Sequence, residues 1–128
     1  AMLAQALYMQ GHYVEAEAEC TVSETTTAAE DMWTQVMWRG VRAKILARQG
    51  RGIDAEALAR EAVRLAEPTD LLTMRADAQL DLAEVLALTD RLVEATVTVR
   101  QAIALYEQKG NIVSARRTRS WLAAWGQT

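Results

Sequence analysis

Apolar residues recur along the chain at the three- and four-residue spacing of a buried helix face. Val41, Ile45 and Leu46 mark one such face, and Leu82, Val85 and Leu86 mark its equivalent further on. Stop and start signals divide the pattern. "TAAE" at Thr27–Glu30 reads as a capping box. Pro68 and Thr69 punctuate a second start, and "KGN" at 109–111 offers a glycine stop followed by an asparagine cap. The pattern predicts seven helices, at roughly 2–10, 12–25, 28–49, 52–66, 69–88, 91–108 and 111–125.

Three stretches superpose: "LYMQGHYVEAEAEC" from Leu7, "LARQGRGIDAEALA" from Leu46 and "LALTDRLVEATVTV" from Leu86. Gly11, Gly50 and Asp90 fall in register, as do Glu15, Asp54 and Glu94, and then Ala16, Ala55 and Ala95. A second pair, starting at Leu65 and Leu105, keeps the same period of about 40 residues. Each unit reads as helix, tight turn, helix. The turn position needs a left-handed residue, which Gly supplies and Asp tolerates. The acid four residues on lies in the first turn of the next helix, where the positive end of the helix dipole favours it. The small residue after that lets two helices approach closely.

Composition agrees with helices. Of 128 residues 51% are apolar, proline occurs once and phenylalanine is absent, a poor mixture for sheets. The length suits one domain with a real core. Cys20 is the single cysteine and forms no internal disulfide, which fits a reducing, cytoplasmic compartment. No apolar run is long enough to span a membrane, and "AMLAQALYMQ" has no signal-peptide pattern. Ala1 before Met2 reads as a residue added in expression, so the chain is expected to be part of a longer protein. Net charge is −3 and uneven. Residues 1–38 carry six acids and no Lys or Arg, whereas Lys109 onward carries four basic residues and no acid. Solvated faces account for most of this. Oppositely charged ends that stack on neighbours are the other reading.

The motif in "ALYMQGHYVEAEA" resembles the tetratricopeptide repeat family. Its small positions are Ala4, Ala43 and Ala83 in the first helices, then Ala16, Ala55 and Ala95, with later ones at Ser23, Ala62 and Ala102. The repeat departs from the usual 34 residues. The aromatic after the turn is present at Tyr13 but replaced by Gly52 and Leu92, and the third turn carries Asp90. The long repeat places extra turns in each first helix and looks like the arrays of large bacterial multidomain regulators, of transcriptional or ATPase/cyclase type. The resemblance implies an all-α solenoid of antiparallel hairpins in a right-handed superhelix. The hairpins would span about 2–25, 28–66 and 69–108 of one domain over 1–128, with a terminal helix at 111–125. It also implies a non-catalytic scaffold that binds a protein or peptide, with no cofactor.

First-helix positions line the concave face in this family. By register they are Gln5, Tyr8 and Met9, then Met37, Lys44, Ala47 and Arg48, then Asp77, Leu80, Glu84 and Leu88, with Arg117 and Ser120 continuing the row. The family's carboxylate clamp needs a Lys/Asn/Asn/Lys/Arg set that only Lys44 and Arg48 approach, so no clamp is expected. Trp121 and Trp125 share a face of the last helix, which aligns with the first helix of a fourth hairpin, and are expected to cap the final repeat or else to await that hairpin's second helix or a partner chain. A spacer or homo-oligomerisation element working through the terminal helices is the alternative reading.

Enzymatic chemistry has little to assemble on. His12 is the only histidine and would sit exposed in a turn. Cys20, about 12 Å away along the helix, cannot share a metal with it. It occupies the register of Ala59 and Val99 and reads as a small buried hydrophobe. Glu15, Glu17 and Glu19 read as a solvated face rather than an acid/base pair. "RQGRG" lacks the lysine of a phosphate loop. Arg116, Arg117 and Arg119 make too small a patch for nucleic acid.

Overall fold

A computed structural model of the chain describes residues 1–28 and 31–126. The described residues form seven helices and no strand: α1 (Met2–Met9), α2 (Tyr13–Thr26), α3 (Met32–Arg48), α4 (Gly52–Ala66), α5 (Leu72–Leu88), α6 (Leu92–Lys109) and α7 (Ile112–Ala124). α1 packs on α2, α3 on α4 and α5 on α6, as hairpins. Successive hairpins then stack through α2 on α3 and α4 on α5, while the first helices align as α1 on α3 and α3 on α5. The expected all-α solenoid of antiparallel hairpins is what the chain forms.

The turns close as their residues dictate. Gly11, Gly50 and Gly110 have φ near +80°, and Asp90 takes φ +62° in the same place. After each, the next N–H reaches back to a carbonyl five residues earlier: His12 to Leu7 at 2.8 Å, Arg51 to Leu46 at 3.0 Å, Arg91 to Leu86 at 2.9 Å and Asn111 to Tyr106 at 2.8 Å. This left-handed stop satisfies the last carbonyls of each helix. Just beyond, His12, Arg51 and Arg91 are the N-cap residues, with no side-chain cap bond of their own. Instead each faces the first-turn acid three residues on, Glu15, Asp54 and Glu94. These pairs are exposed and add little.

The small positions explain how closely the helices pack. Ala4, Ala43 and Ala83 have no exposed surface, nor have Ala16, Ala55 and Ala95. Cys20, Ala59 and Val99 are likewise fully buried, which places Cys20 where its register predicted. Burial raises its thiol to about 11, so it is a poor nucleophile. Gly52 stands where the other units carry Tyr13 and Leu92 because Thr89 intrudes: a Cβ there would meet Thr89 Cγ2 at 3.0 Å.

Two expected boundaries move. α3 begins at Met32, capped by Asp31, whose carboxylate accepts from the Thr34 N–H at 3.3 Å. The capping box at Thr27–Glu30 falls partly outside the described residues. α5 begins at Leu72, later than expected, because Thr69 serves the preceding helix. Its hydroxyl donates to the Ala66 carbonyl at 2.7 Å and accepts from the Leu71 N–H. Expected outcomes at the turns have opposite signs. Gly50→Ala lowers stability by about 1 kcal/mol, whereas Asp90→Gly raises it by roughly 0.5 kcal/mol. Urea unfolding of both variants checks this, and equal signs would refute the left-handed turn register.

Candidate binding groove

The row of first-helix positions converges on one cavity of about 350 Å³. Gln5, Tyr8 and Met9 of α1, Met37 and Lys44 of α3, Asp77, Leu80 and Glu84 of α5, and Arg117 and Trp121 of α7 all line it. The register explains the convergence. Gln5, Lys44 and Glu84 are equivalent positions of three units, and Met37, Asp77 and Arg117 are another such row. Arg48 stands beside the cavity. Its Nε donates to the Tyr8 hydroxyl at 2.7 Å, and its Nη2 lies 3.8 Å from Glu84 Oε2. Ala47 is a correction: it is buried among Ala43, Ala55 and Leu86, in the hairpin core and not in the groove.

The charges in the groove are mostly engaged with one another. Lys44 is 2% exposed, which sequence reading did not foresee. Its ammonium lies 2.8 Å from Asp81 Oδ1, donates to Gln5 Oε1 at 2.9 Å and sits 4.7 Å from the Tyr8 ring centroid. One cation thereby joins α1, α3 and α5. Asp81 fits there because Gly40 faces it: a Cβ on Gly40 would come within 2.1 Å of its carboxylate. The Tyr8 hydroxyl donates to Glu84. Burial, then the bond to Glu84, raises its pKa well above the phenol's ordinary value.

Asp81, Tyr106 and Thr118 also line the cavity, and the first-helix row did not include them. Tyr106 belongs to a second helix and reaches through from α6 to donate its hydroxyl to Asp77. Asp81 had a visible signal. It is an acid at the register of Val41, opposite a mid-helix glycine. Burial raises the Asp77 pKa, helped by the nearby Asp81 charge and opposed by the Tyr106 bond, Arg117 and Lys44.

A second cavity of about 500 Å³ continues the groove between α5 and α7. Glu84, Ala87, Leu88, Ser120, Trp121, Ala124 and Trp125 line it. Leu88 and Trp125, expected groove and end-contact residues, therefore sit here. α7 packs on α6, but its backbone does not approach α5 as α5 approaches α3. The cause is bulk. Trp121 occupies the register of Asp81 and Val41, and Trp125 that of Val85 and Ile45. The two indoles lie 5.9 Å apart at 60° and pack on the terminal core beside Tyr106 and Leu122. Both residues stay partly exposed, so the pair caps the core and still walls the cavity.

Hairpins stacked in register around a groove of first helices define a helical repeat protein. The family model described as "Tetratricopeptide repeat" matches residues 1–20, 37–61 and 76–101, more than half of the chain. The chain belongs to the tetratricopeptide repeat family. No curated protein and no solved structure gives a significant match. Members of the family typically bind other proteins and are typically non-catalytic. Among the described residues, no helix is long and apolar enough to cross a membrane, and no group of His, Cys, Asp and Glu is placed to hold a metal.

Asp77 gives the groove a pH signature. Its folded pKa lies above its unfolded value of about 4, so the folded state binds its proton more tightly. Its contribution is therefore favourable in acid and is lost as pH rises from about 4 through the raised value. Asp77→Asn keeps an acceptor for Tyr106 and removes that loss. The stability of Asp77→Asn relative to the parent chain should rise with pH over this window in urea titrations. A difference independent of pH would contradict the burial of this carboxylate.

Proposed function

We propose that the chain is a non-catalytic interaction module that holds a polypeptide segment along the first-helix groove. Of the groove residues Gln5, Tyr8, Met9, Met37, Lys44, Arg48, Asp77, Glu84, Leu88 and Arg117, the buried Tyr8 and Lys44 hold the wall in place and the others are the module's contact set. The observation that carries this reading is the convergence of α1, α3, α5 and α7 on one continuous groove. Apolar Met9, Met37, Leu80 and Leu88 alternate there with charges already fixed by the fold. Such a surface suits an extended segment or a helix, which buries apolar side chains and meets preorganised polar groups. The long repeat and Ala- and Arg-rich composition support a place within a larger bacterial regulator of transcriptional or ATPase/cyclase type.

The second reading is homo-oligomerisation through the terminal helices. The acidic first third and the basic terminal helix favour it, with Leu3 and Val22 exposed at one end and Ile112 and Val113 at the other. Panning a random peptide library on the chain separates the two. The groove reading expects binders that Met37→Lys weakens by tenfold or more, about 1.4 kcal/mol. Val93→Lys, on the exposed face of α6, should leave them unchanged. No groove-sensitive binder, together with salt-dependent self-association in light scattering, would favour the second reading.

A further inference from the structure

The cavity between α5 and α7 is unlike the rest of the groove. Its wall is aromatic and aliphatic, from Trp121, Trp125, Leu88, Ala87 and Ala124, and Glu84 brings a carboxylate to it. Tyr8 and Arg48 both contact Glu84 through Oε2, and Oε1 takes part in neither contact. The cavity also sits at two helix C-termini. Ala87 and Leu88 close α5, and Ala124 closes α7. A helix C-terminus carries partial negative charge that cations satisfy. α3, α4 and α6 place Arg48, Arg64 and Lys109 in their last turns, whereas α5 and α7, like α1 and α2, place no basic residue there.

Elsewhere the fold supplies its own cations to aromatic faces. Arg39 and Arg42 lie over Trp38, Lys44 and Arg48 over Tyr8, and Arg48 over Tyr13. The tilted pair of Trp121 and Trp125 lines the same cavity as the Glu84 carboxylate. An indole face attracts a cation within about 6 Å of its centroid, and more strongly where water is excluded.

We propose that this cavity receives a lysine or arginine side chain of the bound polypeptide, seated against the Trp121 and Trp125 rings and paired with Glu84. The aliphatic stem of that side chain would lie on Leu88 and Ala87, with its charged head toward Glu84 and the two helix ends. This rests on the groove reading above and adds the chemistry of one position in the ligand. The bound segment thus carries a basic residue where it crosses from α5 to α7.

The test is a titration of the isotope-labelled 128-residue chain, followed through the indole N–H signals of Trp121 and Trp125. The probes are acetyl-Gly-Arg-Gly-amide and its norleucine counterpart, which keeps the stem without the charge. The arginine probe should shift both indoles saturably and bind about tenfold tighter than norleucine. Glu84→Gln, which still accepts from Tyr8, should remove that preference. Leu88→Glu, at an exposed wall position, should increase it. Equal shifts from both probes, or a preference untouched by Glu84→Gln, would overturn the cation pocket and leave the groove reading standing. Silence from both indoles would overturn the pocket alone if library-selected peptides still bind the groove. If those peptides also fail, the groove reading falls with it.

Discussion

The ammonium of Lys44 is the contact on which the groove depends. It lies in α3, reaches Gln5 in α1 and pairs with Asp81 in α5, so one buried cation ties together the first helices of three units. A buried charge is tolerated only when it is paired and hydrogen-bonded, and removing one partner leaves the other uncompensated. The pair therefore fixes how the units are set against one another. Gly40 is the condition that admits it, since any side chain there would occupy the position of the Asp81 carboxylate.

Around this contact the alanine register does the packing. Ala4, Ala43 and Ala83 in the first helices and Ala16, Ala55 and Ala95 in the second have no exposed surface, so each hairpin closes tightly and presents its first helix to the same side. Repetition of one hairpin turns equivalent positions into rows, and the rows become a groove. The terminal unit departs from the pattern. Tryptophans replace smaller residues, α7 stands away from α5, and a cavity opens where the regular packing would have closed. A cavity thus arises where the repeat is broken.

Much of this was legible in the chain. The turn glycines, the first-turn acids and the small positions recur at one period, and that period placed the hairpins, while the groove positions were implied by the resemblance to the repeat family and carried over by register. What was not legible depends on contacts between units. Lys44 looked like a groove cation and is instead a buried one, because Asp81 and Gln5 lie far from it in sequence. Ala47 shares the register of Tyr8 yet turns into the core, in one cluster with Ala43 of α3, Ala55 of α4 and Leu86 of α5. Tyr106 reaches the groove from a second helix, a path that no first-helix row contains. The start of α5 was misplaced because a threonine hydroxyl can close one helix as readily as open another.

The groove's geometry rests on the Lys44–Asp81 ion pair, and a double-mutant cycle over Lys44→Met and Asp81→Asn measures it directly. Asp81→Asn should cost about 3 kcal/mol by leaving the buried Lys44 ammonium without its charge partner, and Lys44→Met should cost less, since Asp81 stays partly exposed to the groove. The double variant should be much less destabilised than the sum, giving a coupling above roughly 1 kcal/mol in urea unfolding. Strictly additive losses, or single variants within about 0.5 kcal/mol of the parent chain, would contradict the claim that this pair sets the groove.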